Sequence, residues 1–311
     1  MRNIFDLVLD KINEYSTPSC IGLDPDIRFI PRMIKDEAMS RYGDTRKGVA
    51  YAFLEFNKAI IDATEDIVGI YKPQMAFYEK YGPEGIQAFI DTVVYLKNKD
   101  KVVIEDAKRN DVGNTATAYA DSHLGKVKLF NAVEPIYYVD LITVNGYLGE
   151  DGVKPFISAS VENEKGIFVL AKTSNPSSVD FQNIKCVTDG NTVENYMLMM
   201  DLIKRWADGT QGQYGYMVAG AVVGTTFPAD AKKIRDRYPD CFFLVPGYGA
   251  QGGTAEDIVS CFNKNSEGAL VSSSRQINYA YLKDEKYTEE NFADAARDAA
   301  LSMKNAIASV L

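Results

Sequence analysis

The 311 residues include one histidine, His123, and no HExxH, so a His-rich zinc site is excluded. The chemistry must rest on Asp, Glu, Lys, Ser and Thr. His123 follows a helix predicted over Asn114–Asp121 and is expected at the surface or at that helix end, not as a base. The four cysteines, Cys20, Cys186, Cys241 and Cys261, form no CxxC pair and read as small core residues of a reduced, cytoplasmic protein. No apolar run reaches membrane-spanning length. The opening MRNIFDLVLDKINEYS is amphipathic and carries acidic residues, which suits a docking helix and not a signal or transit peptide. Positive charge is also scarce: 34 Lys and Arg stand against 43 Asp and Glu, a net charge of -9. Without a basic surface to neutralise phosphates, nucleic acid is not an expected partner. A small anionic substrate needs only a local cluster of cations and N–H groups in a cleft.

What is present is an alternation. Short apolar runs at Ser19–Leu23, Gly69–Lys72, Val102–Asp106, Leu141–Val144, Gly166–Ala171, Met217–Ala221, Phe242–Val245 and Ala269–Val271 are separated by longer helical patterns. The latter include Val49–Glu65, Pro83–Lys97, Thr192–Ala207, Ala229–Tyr238 and Ala255–Asn263. Eight such units predict an α/β fold of the (β/α)8 TIM-barrel type, a single catalytic domain over residues 1–311 with loop insertions at 25–48 and 173–191. Polar or special residues recur at the strand ends: Asp24, Lys72, Asp106, Asn145, Lys172, Gly220, Pro246 and Ser272. Barrel active sites occupy that face.

The segment IEDAKRNDVGNT carries the densest charge pattern. In an extended strand, residues i and i+2 share a face, so Asp106 and Lys108 are expected to point the same way. Asp111 follows in the loop and Thr115 opens the next helix. An Asp–Lys–Asp array lets a carboxylate orient a lysine that donates a proton to a developing carbanion. Alone, the run reads equally as a solvated salt-bridge loop. Lys72 ends the neighbouring strand and is expected beside Asp106. Asp24, in LDPD, reads either as an acceptor for sugar hydroxyls or as an Asx turn before Pro25. Pro246–Gly253 after the seventh strand and Leu270–Arg275 after the eighth pair a glycine-rich loop with an arginine, as a barrel phosphate site requires.

Together these residues resemble the orotidine 5′-phosphate decarboxylase family, from GLDPD near residue 24 to SSSR near 275, in its longer, bacterial-type branch. The DxKxxDxxxT spacing is met by Asp106, Lys108, Asp111 and Thr115, and PGYGAQGG also matches. The resemblance implies loss of CO2 from orotidine 5′-phosphate to give UMP, with no cofactor and no metal. It implies that Lys108 protonates C6, that Asp106 and Lys72 complete the charged array, and that Asp24 binds ribose. Ser174 would contact the pyrimidine. Pro246, Gln251 and Arg275 would line the phosphate site, with Ser274 adding its backbone N–H where many relatives have Gly. Asp111 and Thr115 would reach into the partner's site in a homodimer, and loops 173–191 and 247–253 would act as lids. Two alternatives remain beside it. A metal-dependent sugar-phosphate lyase or decarboxylase of related barrels shares DxKxxD, but Lys72 and the GAQGG and SR pair argue against it. A non-catalytic nucleotide-binding barrel explains the charged array poorly.

Overall fold

The computed structural model describes residues 2–188, 190–249 and 254–311. Eight parallel strands close into a barrel in chain order: β1 (Ser19–Leu23), β2 (Ile70–Pro73), β3 (Val102–Arg109), β4 (Leu141–Val144), β5 (Gly166–Lys172), β6 (Ala219–Val223), β7 (Phe243–Val245) and β8 (Ala269–Ser273). The sheet closes where Ser19 pairs with Val271. Helices surround it: α2 (Arg32–Tyr42) and α3 (Arg46–Thr64) after β1, α4 (Gly82–Lys97), α5 (Gly113–His123), α6 (Glu150–Asn163), α7 (Asn195–Trp206), α8 (Pro228–Arg237) and the C-terminal α9 (Phe292–Ala308). The (β/α)8 barrel expected from the alternation is therefore present.

Side chains alternate across the barrel wall with the period of two that a strand imposes. In β3, Val102 and Ile104 point inward with Cys20, Ile70, Leu141 and Phe168, while Val103 points outward to the helix layer with Tyr71, Ile142 and Val169. Each such side chain contributes about 1.5–3 kcal/mol over its exposed state. The barrel floor is plugged by α1 (Ile4–Tyr15), which presents Ile4, Phe5, Val8 and Leu9 to the interior. Phe5 stacks on Phe242 at 4.8 Å and meets Phe168 edge-on at 5.3 Å. An Asn3–Asp6 capping box starts this helix, and Asn3 Nδ2 also donates to the carbonyls of Thr210 and Tyr216. The amphipathic opening is thus a docking helix, as its pattern predicts.

Several boundaries differ from the sequence expectation. The sixth strand begins at Ala219, two residues late, and the Tyr216 carbonyl before it is taken by the Gly212 N–H and Asn3 Nδ2. Gly220 is therefore the second residue of β6 and not its end; a Cβ there would lie 2.5 Å from the Phe242 carbonyl oxygen. The helix expected from Thr192 begins at Asn195, because Asn191–Glu194 pairs with Lys185–Thr188 as an antiparallel hairpin. Insertion 173–191 thus holds a 3-10 turn (Pro176–Ser178), a short helix (Val179–Gln182) and most of that hairpin, and insertion 25–48 holds α2.

Candidate active site

At the C-terminal ends of the strands lies a cavity of about 280 Å³. Asp24, Lys72, Asp106, Lys108, Ser174, Pro246, Ser274 and Arg275 all line it. Its centre is the Asp106 carboxylate. Oδ2 accepts from Lys72 Nζ at 2.9 Å and from Gln74 Nε2 at 2.9 Å; Oδ1 accepts from Lys108 Nζ at 2.5 Å and from Thr143 Oγ1 at 3.0 Å. Burial alone would raise this carboxyl, but the charges and hydrogen bonds of Lys72 and Lys108 hold it well below the usual carboxylate range. Lys72 is buried; burial would lower its pKa, but Asp106 and Asp24 push it above the ordinary lysine value. The two lysines and the aspartate form a preassembled cationic array around one anion.

The backbone that presents Lys108 is not the extended strand assumed from the i, i+2 spacing. Glu105 pairs with Ile142 and Arg109 with Val144, so β3 inserts extra residues against β4. Lys108 lies in the left-handed region, with φ of 53°. Such a bulge leaves N–H groups without ladder partners. Thr143 Oγ1 supplies one, accepting from the N–H of Ala107 at 3.0 Å and of Lys108 at 2.9 Å. Asp106 and Lys108 do meet, through this bulge and not through strand periodicity.

Asp24 faces the same cavity. Burial raises its carboxyl above the ordinary value, against the lowering effect of Lys72 and Ser274, and its Oδ1 has no hydrogen-bond partner among the described residues. The Asx turn in this loop belongs to Asp26, whose Oδ1 accepts from the Arg28 N–H at 3.1 Å. Gly22 lets the eighth-strand loop close in: a Cβ there would lie 1.8 Å from Ser274 Oγ. Arg275 is exposed and lines the cavity, with no ion pair among the described residues. Gln251, expected at the phosphate, lies outside the described residues, as do Ala250, Gly252 and Gly253 of the same loop.

Some expected residues lie elsewhere. Asp111 and Thr115 do not line this cavity; Asp111 is half-buried and accepts from the Val112 N–H, and Thr115 is exposed. Lys172 is fully buried outside the barrel wall, 2.5 Å from Asn183 Oδ1 and 4.2 Å from the Phe227 ring centre, where it ties the 173–191 insertion to the helix layer. Asn145 accepts from the Tyr147 N–H and shapes a turn. His123 does end its helix, as expected, but it is buried and not at the surface, because its Nδ1 finds Glu105 Oε2 at 2.7 Å. Among the described residues no group of three or more His, Cys, Asp or Glu side chains is disposed to hold a metal.

Sequence reasoning missed Gln74 and Thr143, both bonded to Asp106. Thr143 is the one polar residue of LITV, and period two from Leu141 turns it inward. Gln74 stands two residues after Lys72. Leu170, Val222 and Leu244 give the cavity an apolar wall, and Thr173 and Tyr248 complete its rim.

The sequence model of the orotidine 5′-phosphate decarboxylase / HUMPS family matches residues 18–289. A Petrotoga mobilis protein named orotidine 5′-phosphate decarboxylase is 39% identical over 306 residues, covering 97% of this chain and 99% of its own length. One of the same name from Caldicellulosiruptor bescii is 38% identical over 311 residues, covering 99% and 98%. The solved structure of Leishmania donovani OMP decarboxylase superposes with a TM-score of 0.71 at 27% identity, covering 99% of this chain and 98% of that one. With the DxKxxDxxxT residues in place on a closed barrel, the chain belongs to the orotidine 5′-phosphate decarboxylase / HUMPS family.

Proposed function

We propose that this protein decarboxylates orotidine 5′-phosphate to UMP and CO2 in de novo pyrimidine biosynthesis. The observation that carries the reading is the Lys72–Asp106–Lys108 array, set in one cavity with Arg275. Close relatives across nearly the whole chain bear the name of this activity.

The bond between C6 and the carboxylate breaks, CO2 leaves, and the electron pair remains on C6. In this reading the pair is stabilised by fixed protein charges. The Lys108 ammonium lies against the developing carbanion and transfers its proton to C6, and solvent later reprotonates the amine. Asp106 keeps Lys108 aimed. Lys72 holds Asp106 from the other side and reaches the ribose. The unpartnered, buried oxygen of Asp24 suits a ribose hydroxyl, which would satisfy an acceptor that is otherwise costly to bury. Ser174 contacts the pyrimidine, against the wall of Leu170, Val222 and Leu244. Arg275, Gln251, the Ser274 N–H and the loop from Pro246 hold the phosphate, whose remote binding energy drives closure of the loops 173–191 and 247–253 over the site.

The proposal extends to a homodimer with shared sites. Asp111 and Thr115 lie outside their own chain's cavity, beside an open groove between α5 and α6 lined by Val112, Asn114, Asp151 and Lys154. That placement suits side chains that serve the partner subunit's cavity. Residues 1–311 act as one catalytic domain, since α1 plugs the barrel floor and α9 packs on α3 through Phe292 and Phe56, 5.3 Å apart. A cytoplasmic location suits four free cysteines, three of them buried, and no helix of the described residues is long and apolar enough to cross a membrane.

The decisive experiment is an ultraviolet assay of orotidine 5′-phosphate with EDTA present. Turnover to UMP is expected with metal chelated. No turnover, or turnover that EDTA abolishes, would overturn the mechanism.

A further inference from the structure

His123 has no part in the chemistry above, yet it is buried with its Nδ1 2.7 Å from Glu105 Oε2. Glu105 is completely buried, and its Oε1 has no hydrogen-bond partner among the described residues. The imidazole stacks on Tyr137 with ring centres 4.5 Å apart and planes 8° apart, and Tyr119 lies on its flank at 6.2 Å. For stability alone this arrangement is poor. A buried carboxylate with one acceptor unused is costly, and apolar side chains of similar volume commonly serve as well or better.

Its position gives it another use. Glu105 is the last residue of β3 in regular register with β4, and the next residue is Asp106. By strand alternation Asp106 turns into the cavity and Glu105 turns out to the helix layer. The bulge that follows contains Lys108 at φ of 53°, a conformation that a lysine keeps only where its surroundings over-determine it. Thr143 restrains the inner side of the bulge. On the outer side, Arg109 donates to the Ala107 carbonyl at 3.2 Å and pairs with Glu79, and its guanidinium sits 5.9 Å from the Tyr119 ring centre. Glu105 and His123 complete the outer restraint by tying β3 to the end of α5.

We propose that Glu105 and His123 are positioning residues for the charged array: their hydrogen bond fixes the strand at the entry to the bulge, and so holds Lys108 against Asp106. The inference rests on the decarboxylase reading of the cavity. Neither residue touches substrate, and the pair acts on the turnover step and not on phosphate or ribose binding.

The test is the double variant Glu105→Leu/His123→Phe, which keeps the packing volume and leaves no orphaned charge. It is expected to melt at or above the wild-type temperature while kcat falls between about tenfold and a hundredfold and KM changes by less than about threefold. A pair with only a structural role would leave kcat unchanged in a protein of that stability, and that result overturns the proposal. Two single variants decide the matter if the double variant does not fold. His123→Asn keeps a donor near the Nδ1 position and loses the stack; His123→Phe keeps the stack and loses the donor. The proposal requires His123→Asn to retain most of kcat and His123→Phe to lose it, and equal values for the two overturn it. An inactive wild-type protein would instead overturn the decarboxylase reading itself.

Discussion

Lys108 meets Asp106, two residues before it in the chain, across 2.5 Å, although its own backbone is left-handed with φ of 53°. The strand is bent where the pair meets, and Thr143 Oγ1 holds the bend by accepting from the N–H groups of Ala107 and Lys108, while Lys72, Gln74 and Thr143 occupy the remaining acceptor positions of the carboxylate.

That relationship separates the cost of Lys108 from its use. Lys108→Ala is expected to lower kcat by at least about 10³-fold, since charge stabilisation and proton delivery go together. Lys108→Gly should be equally inactive but more stable than Lys108→Ala by about 1 kcal/mol, because glycine accepts positive φ without a Cβ clash. Steady-state kinetics and urea unfolding of both variants check this; substantial residual decarboxylation by either would remove Lys108 from its role.

Asp106 and Asp24 share a cavity but should give pH dependences of stability with opposite signs. The Asp106 carboxyl is held below its unfolded value, so its stabilisation is complete above the ordinary carboxylate range and is lost as pH falls below it. The stability gap between wild type and Asp106→Asn should therefore shrink on acidification. Thermal melts from about pH 7 down to about pH 3 measure it, and a constant gap would contradict the assignment.

Burial raises the Asp24 carboxyl above its unfolded value, so its ionised form costs stability at neutral pH and the cost disappears as pH falls through its folded pKa toward the unfolded one. Asp24→Asn is expected to melt higher than wild type at neutral pH while kcat/KM drops roughly 10- to 100-fold through lost charge-assisted hydrogen bonds to ribose. A destabilised variant with normal kinetics would place Asp24 in the scaffold and not in the site.

Arg275 is exposed at the cavity rim and makes no ion pair among the described residues, so its removal should leave the fold intact. Arg275→Ala is expected to raise KM on the order of 10- to 100-fold, the value of a charge-assisted phosphate contact. Phosphite added to a phosphate-free nucleoside substrate should then stimulate wild type more than the variant; equal stimulation would mean that another group binds the phosphate.

Shared sites predict complementation. Lys108→Ala and Asp111→Ala chains are each expected to be inactive, but after mixing and subunit exchange half of the dimers carry one intact site, so about one quarter of wild-type activity should return. No recovery in a demonstrated heterodimer would confine Asp111 to its own subunit.

The restraint behind Lys108 and the residues around Asp106 show where sequence reading stops. The barrel was legible because buried parallel strands must be near-continuous apolar runs, and runs such as Leu141–Val144 occur with the right spacing. Lys72, Asp106 and Lys108 were legible because charge at the end of such a run needs a reason. Gln74 and Thr143 were not, since a neutral polar side chain shows its value only when its partner's position is known.

The sequence by itself determined the barrel, its polar rim and the identity of the charged array, through short-range periodicity and residue chemistry. The tertiary structure decided the rest. It turned Lys172 outward onto Asn183, buried His123 against Glu105, and bent β3 so that Thr143 could fill the gap. Each outcome depends on groups 11 to 36 residues apart in the chain. Burial and pairing over such separations are set by the closed sheet and the packed helices, and no local pattern encodes them.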